Sequence, residues 1–152
     1  MRKQKGLIKE DLIIIVAGLS LLALIVLASY ISPGRNSVSV TVDRSNYVAG
    51  ETLRVKIENH LGNSICFSSC YPYYFEKAGD LWTKYNYSNC QKENRASVCI
   101  NNNESKAFAV EIPEMIRSGD HRLALPACIG CAVDRVFEES SVFYSKIFMI
   151  NK

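Results

Sequence analysis

Hydrophobic and polar positions follow two regimes along this chain. From Leu12 to Ile31, LIIIVAGLSLLALIVLASYI, twenty residues pass without a charge. An α-helix rises 1.5 Å per residue, so this stretch makes a rod about 30 Å long, the thickness of a bilayer's hydrocarbon core. It is expected to cross a membrane once, over residues 12–31. Ser32-Pro33-Gly34 then stops the helix. Beyond Ser37 the apolar residues alternate with polar ones, which is the period of a half-buried strand.

The alternation predicts a series of short strands. Val38, Val40 and Val42 mark the first, and Ala49-Gly50-Glu51 a turn. Leu53, Val55 and Ile57 mark the next strand, with Arg54, Lys56 and Glu58 outward. Ile65 to Phe67 begins a third, and Pro72 breaks or edges it. Tyr73 to Lys77 and Leu81 to Tyr85 flank Ala78-Gly79-Asp80 as a hairpin. Asn86 to Asn103 reads as a long polar loop with at most one short strand. Lys106 to Ile112 and His121 to Leu125 are further strands, joined by a connection over 113–119. Residues 131–141 read as irregular, and Val142 to Ile150 closes the chain as one strand. No stretch beyond residue 31 has the period of a globular helix. The expected fold is mainly β: an antiparallel β-sandwich of immunoglobulin-like type preceded by one N-terminal transmembrane α-helix.

Charge refines the organisation. The net charge is +3, and Arg2, Lys3, Lys5 and Lys9 against Glu10 and Asp11 place two of those three charges in the tail. Positive charge beside a first apolar segment stays in the cytoplasm. The expected layout is a cytoplasmic tail over 1–11, the membrane span over 12–31, a linker over 32–36 and an extracytoplasmic domain over 37–152. The lipid bilayer is then a partner of residues 12–31. The exterior domain is nearly neutral with signs interspersed, so it has no electrostatic footprint for nucleic acid.

Six cysteines lie beyond the apolar run, spaced Cys66-x3-Cys70, Cys90-x8-Cys99 and Cys128-x2-Cys131. An even number in an exported domain reads as disulfides. Closing the Asn-rich loop pairs Cys90 with Cys99. The strand starting near Ile65 is expected to run antiparallel to the one ending near Leu125. That brings 66/70 and 128/131 to one end of the sandwich, where bridges within the pairs compete with bridges between them. Two other chemistries fit the same residues. Cys128-Ile129-Gly130-Cys131 is a C-x-x-C pair suited to thiol exchange if its first thiol is activated, and the two close pairs also suit a zinc site. Asn86-Tyr-Ser88 and Asn103-Glu-Ser105 are acceptors for glycosylation.

Tyr71, Tyr73, Tyr74, Trp82 and Tyr85 form an aromatic cluster, a candidate partner-binding surface. His60 and His121 are the only histidines, and neither neighbours a nucleophile motif. No catalytic residue, metal site or cofactor is assigned.

Two resemblances add to this. Lys5-Gly6 followed by Leu7, with Asp11 five places past the glycine, resembles the leader of type IV pilin-like proteins. That resemblance implies cleavage after Gly6 and a helix serving as an assembly core. Asn46-Tyr47-x2-Gly50-Glu51, a strand ending at Asn59, Tyr74-Phe75-Glu76-Lys77-x-Gly79-x2-Trp82 and Ser118-Gly119-Asp120-His121-Arg122-Leu123 follow one another in order. This order resembles prokaryotic membrane-anchored immunoglobulin-like domains, and in outline the small bacterial proteinase-inhibitor domains. It implies turn glycines, a core Trp82 and a glycine before the penultimate strand. The expected function is a non-catalytic, single-pass, extracytoplasmic binding or scaffolding module for a protein or envelope component. The alternatives are a pilin-like subunit, an envelope thiol-redox protein and a protease inhibitor.

Overall fold

The structure, a computed structural model, describes residues 20, 37–85, 90 and 92–152. The chain divides into two compact units, Met1–Arg35 and Asn36–Lys152. Of the first, Ser20 alone is described, and it is helical. Apart from Ser20, the expected tail, membrane span, linker and pilin-like leader therefore lie outside the described residues, as does Asn86.

The second unit is mainly β. Its strands are β1 (Val38–Val42), β2 (Asn46–Val48), β3 (Thr52–Asn59), β4 (Ile65–Ser68), β5 (Tyr74–Lys77), β6 (Thr83–Tyr85), β7 (Ala96–Ile100), β8 (Ser105–Glu111), β9 (Gly119–Ile129), β10 (Ser141–Tyr144) and β11 (Phe148–Asn151). One sheet has the order β1-β3-β8 and the other the order β2-β11-β9-β4-β7, with β5 and β10 also on β9 and β6 on β5. Strand β9 is the spine of the larger sheet. Ala124 pairs with Tyr74 of β5 on one edge and Tyr144 of β10 on the other.

Alternation builds the core, as period-2 sequences require. Leu53, Val55 and Ile57 of β3 are buried while Arg54 and Lys56 are exposed. They pack in one cluster with Val110 of the same sheet and with Phe67, Phe75, Leu123, Leu125 and Phe148 of the other. An aromatic chain runs through that cluster. Tyr73 meets Phe75 edge-on at 6.2 Å, Phe75 meets Phe148 at 6.3 Å, and Phe148 meets Tyr47 at 5.5 Å.

Polar groups fix the corners. Tyr47 donates its hydroxyl to Asp43 Oδ1, which also accepts the Arg54 N–H. Those two donors, the Arg54 N–H foremost, hold the Asp43 carboxyl below its usual range. Burial, reinforced by Asp43, pushes the Tyr47 phenol up to about 12. Asn59 is fully buried, donating to the Asn63 and Ile100 carbonyls and accepting from the Leu61 N–H. The glycine turn at Gly50 has φ +86°, a conformation that favours glycine.

The predicted antiparallel pairing of β4 with β9 is present, with Ile65 opposite Ile129 and Cys66 opposite Cys128. Three expectations need correction. Residues 142–150 do not form one strand, because Ser145 interrupts it. Its N–H donates to the Leu123 carbonyl and its hydroxyl accepts the Leu123 N–H, so a side chain replaces a ladder group. β10 and β11 then pair separately with β9. Trp82 is not in the core. It is 36% exposed, because the β5–β6 hairpin places it on the outer face. The cysteines pair as Cys66–Cys99, Cys70–Cys90 and Cys128–Cys131, not Cys90 with Cys99. Cys99 lies within β7, directly opposite Cys66, so the strand register commits it there.

Candidate functional site

The outer face of the larger sheet carries the densest array of polar and aromatic chemistry. Residues directly opposite on neighbouring strands share a face. Lys84 of β6 lies opposite Glu76 of β5, and Glu76 opposite Arg122 of β9. Phe75, Leu123 and Leu125 of these strands face the core, so the Lys84–Glu76–Arg122 row faces outward.

Arg122 is the centre of this face. Its Nε and Nη2 both donate to Glu76 Oε2, at 2.7 and 2.6 Å. Its guanidinium lies 4.0 Å from the Trp82 ring centroid and 3.9 Å from that of Tyr144. The guanidinium stacks on both rings through cation–π contact. Both rings stay partly exposed, with Tyr144 at 43%. Leu81, beside Trp82, is also exposed. Nearby, the Lys84 ammonium sits 3.6 Å from the Tyr74 ring centroid. Burial, then the negative charge of Glu76, pushes the Tyr74 phenol up to about 12, so it remains a neutral donor.

Beside this platform a polar basin of about 330 Å³ is lined by Tyr71, Lys84, Pro126, Phe137 and Glu139, among others. It offers one cationic and one anionic side chain beside aromatic carbon. Such a surface can hold a polar, partly aromatic segment of another molecule.

The aromatic cluster read from sequence is therefore divided. Tyr74 and Trp82 lie on the outer face, and Tyr71 lines the basin with its hydroxyl accepting the Cys90 N–H at 3.3 Å. Tyr73 turns inward and lines an apolar cavity of about 240 Å³ between the sheets, with Phe67, Phe108 and Leu125. Tyr85 pairs with Phe75 and approaches His121 at 6.3 Å. Arg122, Tyr144, Glu76 and Lys84 join the site without being singled out for it by the sequence. The alternation of His121, Arg122 and Leu123 shows that Arg122 faces outward, but not which strands flank it.

The histidines are apart. His60 Nδ1 is 3.3 Å from Asn103 Oδ1. His121 is fully buried, with Nδ1 2.8 Å from the Gly119 carbonyl oxygen and no hydrogen-bond partner at Nε2. Burial holds its imidazole below the usual value, which favours the neutral ring. Asn103 is exposed in the β7–β8 turn with φ +61°. Among the described residues no group of three or more His, Cys, Asp or Glu is placed to hold a metal ion.

No protein-family description and no curated protein matches the chain. Among solved structures it is similar to the Pseudomonas fluorescens alkylpurine DNA glycosylase AlkC bound to DNA containing an abasic site analog, with 10% identity and a TM-score of 0.40. That similarity covers 83% of this chain and 33% of the glycosylase chain. It is also similar to the Bacillus subtilis sporulation control protein Spo0M, with 11% identity and a TM-score of 0.43, over 78% of this chain and 50% of that one. The chain thus spans a third and a half of the lengths of these two proteins.

Proposed function

We propose that this chain is a single-pass membrane protein that presents an immunoglobulin-like sandwich outside the cytoplasm and binds a protein or envelope component there, without catalysis. The apolar run over 12–31, with its basic flank, supplies the tether. Three cysteine pairs at bonding distance suit an oxidising exterior.

The observation that carries the binding role is the Trp82–Arg122–Tyr144 stack. Aromatic and Arg side chains are the residue types that dominate binding energy at interfaces. Here Glu76 and the rings hold them in place before any partner arrives, so less side-chain entropy is lost on binding.

Placing a benzophenone-bearing amino acid at Tyr144 in the full chain tests this role. Irradiating intact cells is expected to yield a discrete cross-linked adduct from that position. The same group at Thr41, exposed on β1 of the other sheet, is expected to yield none. No adduct at Tyr144, or the same adducts at both positions, would remove the recognition face.

A further inference from the structure

Four of the six cysteines lie together. Cys66 of β4 is directly opposite Cys99 of β7 on one side and Cys128 of β9 on the other. The flanking Ile65, Phe67 and Ala127 face the core, so Cys66 and Cys128 share the outer face of the sheet. The segment after Cys131 folds over them. The Arg135 carbonyl accepts the Ala96 N–H, and the Cys131 carbonyl oxygen lies 3.2 Å from Cys66 Sγ. The middle of the row is buried, with Cys66 at 0% and Cys128 at 5% exposure, whereas Cys99 and Cys131 at its ends are only partly covered.

Register makes a second pairing possible. The Cα atoms of Cys66 and Cys99 are 4.0 Å apart, as in a non-hydrogen-bonded antiparallel pair. The peptide groups of Cys66 then turn toward β9. Cys66 and Cys128 are therefore the hydrogen-bonded kind of pair, with Cα atoms about 5.5 Å apart. That lies inside the roughly 4.4–6.8 Å that a disulfide spans. The Cβ atoms of such a pair are about 5.5 Å apart, beyond the roughly 3.5–4.5 Å of a relaxed bridge, so bonding Cys66 to Cys128 needs β4 and β9 to draw together by about 1 Å at that point.

We propose that Cys131, Cys128, Cys66 and Cys99 form a disulfide relay, in which a thiol entering at Cys131 releases a thiolate at Cys99. The co-reactant is an external thiol, from a protein dithiol or a small molecule. Its thiolate attacks Cys131 Sγ, forming a mixed disulfide. The Cys128–Cys131 bond breaks, and its electron pair leaves on Cys128 Sγ. The Cys128 thiolate attacks Cys66 Sγ, and the Cys66–Cys128 bond forms as the Cys66–Cys99 bond breaks. Cys99 leaves as a thiolate and takes a proton from water. Each step breaks one S–S bond and makes one, so the number of disulfides is unchanged, while the entering thiol is oxidised to a mixed disulfide and Cys99 is reduced to a thiol. Lys106 Nζ donates to the Cys99 carbonyl at 2.7 Å and so fixes the backbone of that residue. Solvent-borne thiols reach the two ends of the row and only a neighbouring cysteine reaches its middle, so the same exchange runs in reverse when the thiol enters at Cys99.

The relay rests on the exterior reading only in needing the cysteines oxidised. The test uses the full chain, exported and purified in detergent, with free thiols alkylated and bridges mapped by mass spectrometry. The native chain is expected to show three bridges and no alkylation. In Cys131→Ser, held in mildly alkaline buffer, label is expected on Cys99 to within about tenfold of that on Cys128, together with a Cys66–Cys128 linked peptide. In Cys128→Ser, label is expected on Cys131 alone. Should Cys131→Ser not fold, the wild-type chain given limiting dithiothreitol and quenched early is expected to yield the same Cys66–Cys128 peptide with Cys99 labelled. Native bridges without any Cys66–Cys128 exchange would overturn the relay alone. Reduced cysteines in the native chain would overturn the exterior reading and the relay together.

Discussion

Phe75→Ala is expected to destabilise the folded domain by about 3–5 kcal/mol, the cost of emptying an aromatic site in a packed core. Phe75 is fully buried on β5 and is the link between Tyr73 and Phe148, which it meets edge-on. Truncation removes the buried ring and both of those contacts. The neighbours cannot close the gap by sliding, because β5 is fixed in register to β6 and β9. Domains are stable by only about 5–15 kcal/mol, so this single change removes a large share. Urea unfolding of the detergent-solubilised chain with its disulfides intact reads the effect as a lower midpoint. Met115→Ala is the control. Met115 is 93% exposed and its loss is expected to stay within about 0.5 kcal/mol. Equal midpoints for the two variants would contradict the position of the aromatic chain at the centre of the core.

Arg122→Ala is expected to cost about 2–4 kcal/mol and to abolish cross-linking from Tyr144. Glu76 is 8% exposed, so removing its partner strands a carboxylate that water reaches poorly. Trp82 and Tyr144 also lose the guanidinium they stack on, at about 0.5–1 kcal/mol each for partly exposed rings. Arg122→Lys is not an adequate replacement, since an ammonium lacks the planar group that stacks on two rings while meeting one carboxylate. The paired change Glu76→Gln with Arg122→Met removes the stranded charge and keeps the volume. It is expected to recover at least half of the stability without restoring the cross-link. That split separates the structural part of the pair from its part in recognition. If Arg122→Ala were neutral in stability, the Glu76–Arg122 pair would be a solvated contact and the platform would not be held in place.

The regular part of this fold is legible in the chain because period-2 alternation is local. Leu53, Val55 and Ile57 announce β3, and Ala78-Gly79-Asp80 announces the β5–β6 hairpin. The antiparallel course of β4 and β9 is also readable. Other features depend on which strands become neighbours, which no local pattern carries. The parallel pairing of β2 with β11 joins residues near Tyr47 to residues near Ile150. The break at Ser145 depends on a hydroxyl meeting Leu123 across the sheet. Cysteine pairing fails for the same reason. Proximity in sequence favours Cys90 with Cys99, whereas register places Cys99 opposite Cys66. The candidate site is partly readable, since the aromatic residues stand out. Its organising residue, Arg122, looks in sequence like any outward-facing charge on a strand.

The tether and the exterior placement of the sandwich are tested together by labelling intact cells with a membrane-impermeant amine reagent. The chain is then recovered from the membrane fraction and the modified lysines are located by mass spectrometry. Label is expected on Lys84, Lys92 and Lys146, which are exposed on the second unit, and not on Lys3, Lys5 or Lys9 of the amino-terminal tail. Label on the tail lysines, or on the domain lysines only after the cells are lysed, would contradict a tethered extracytoplasmic module.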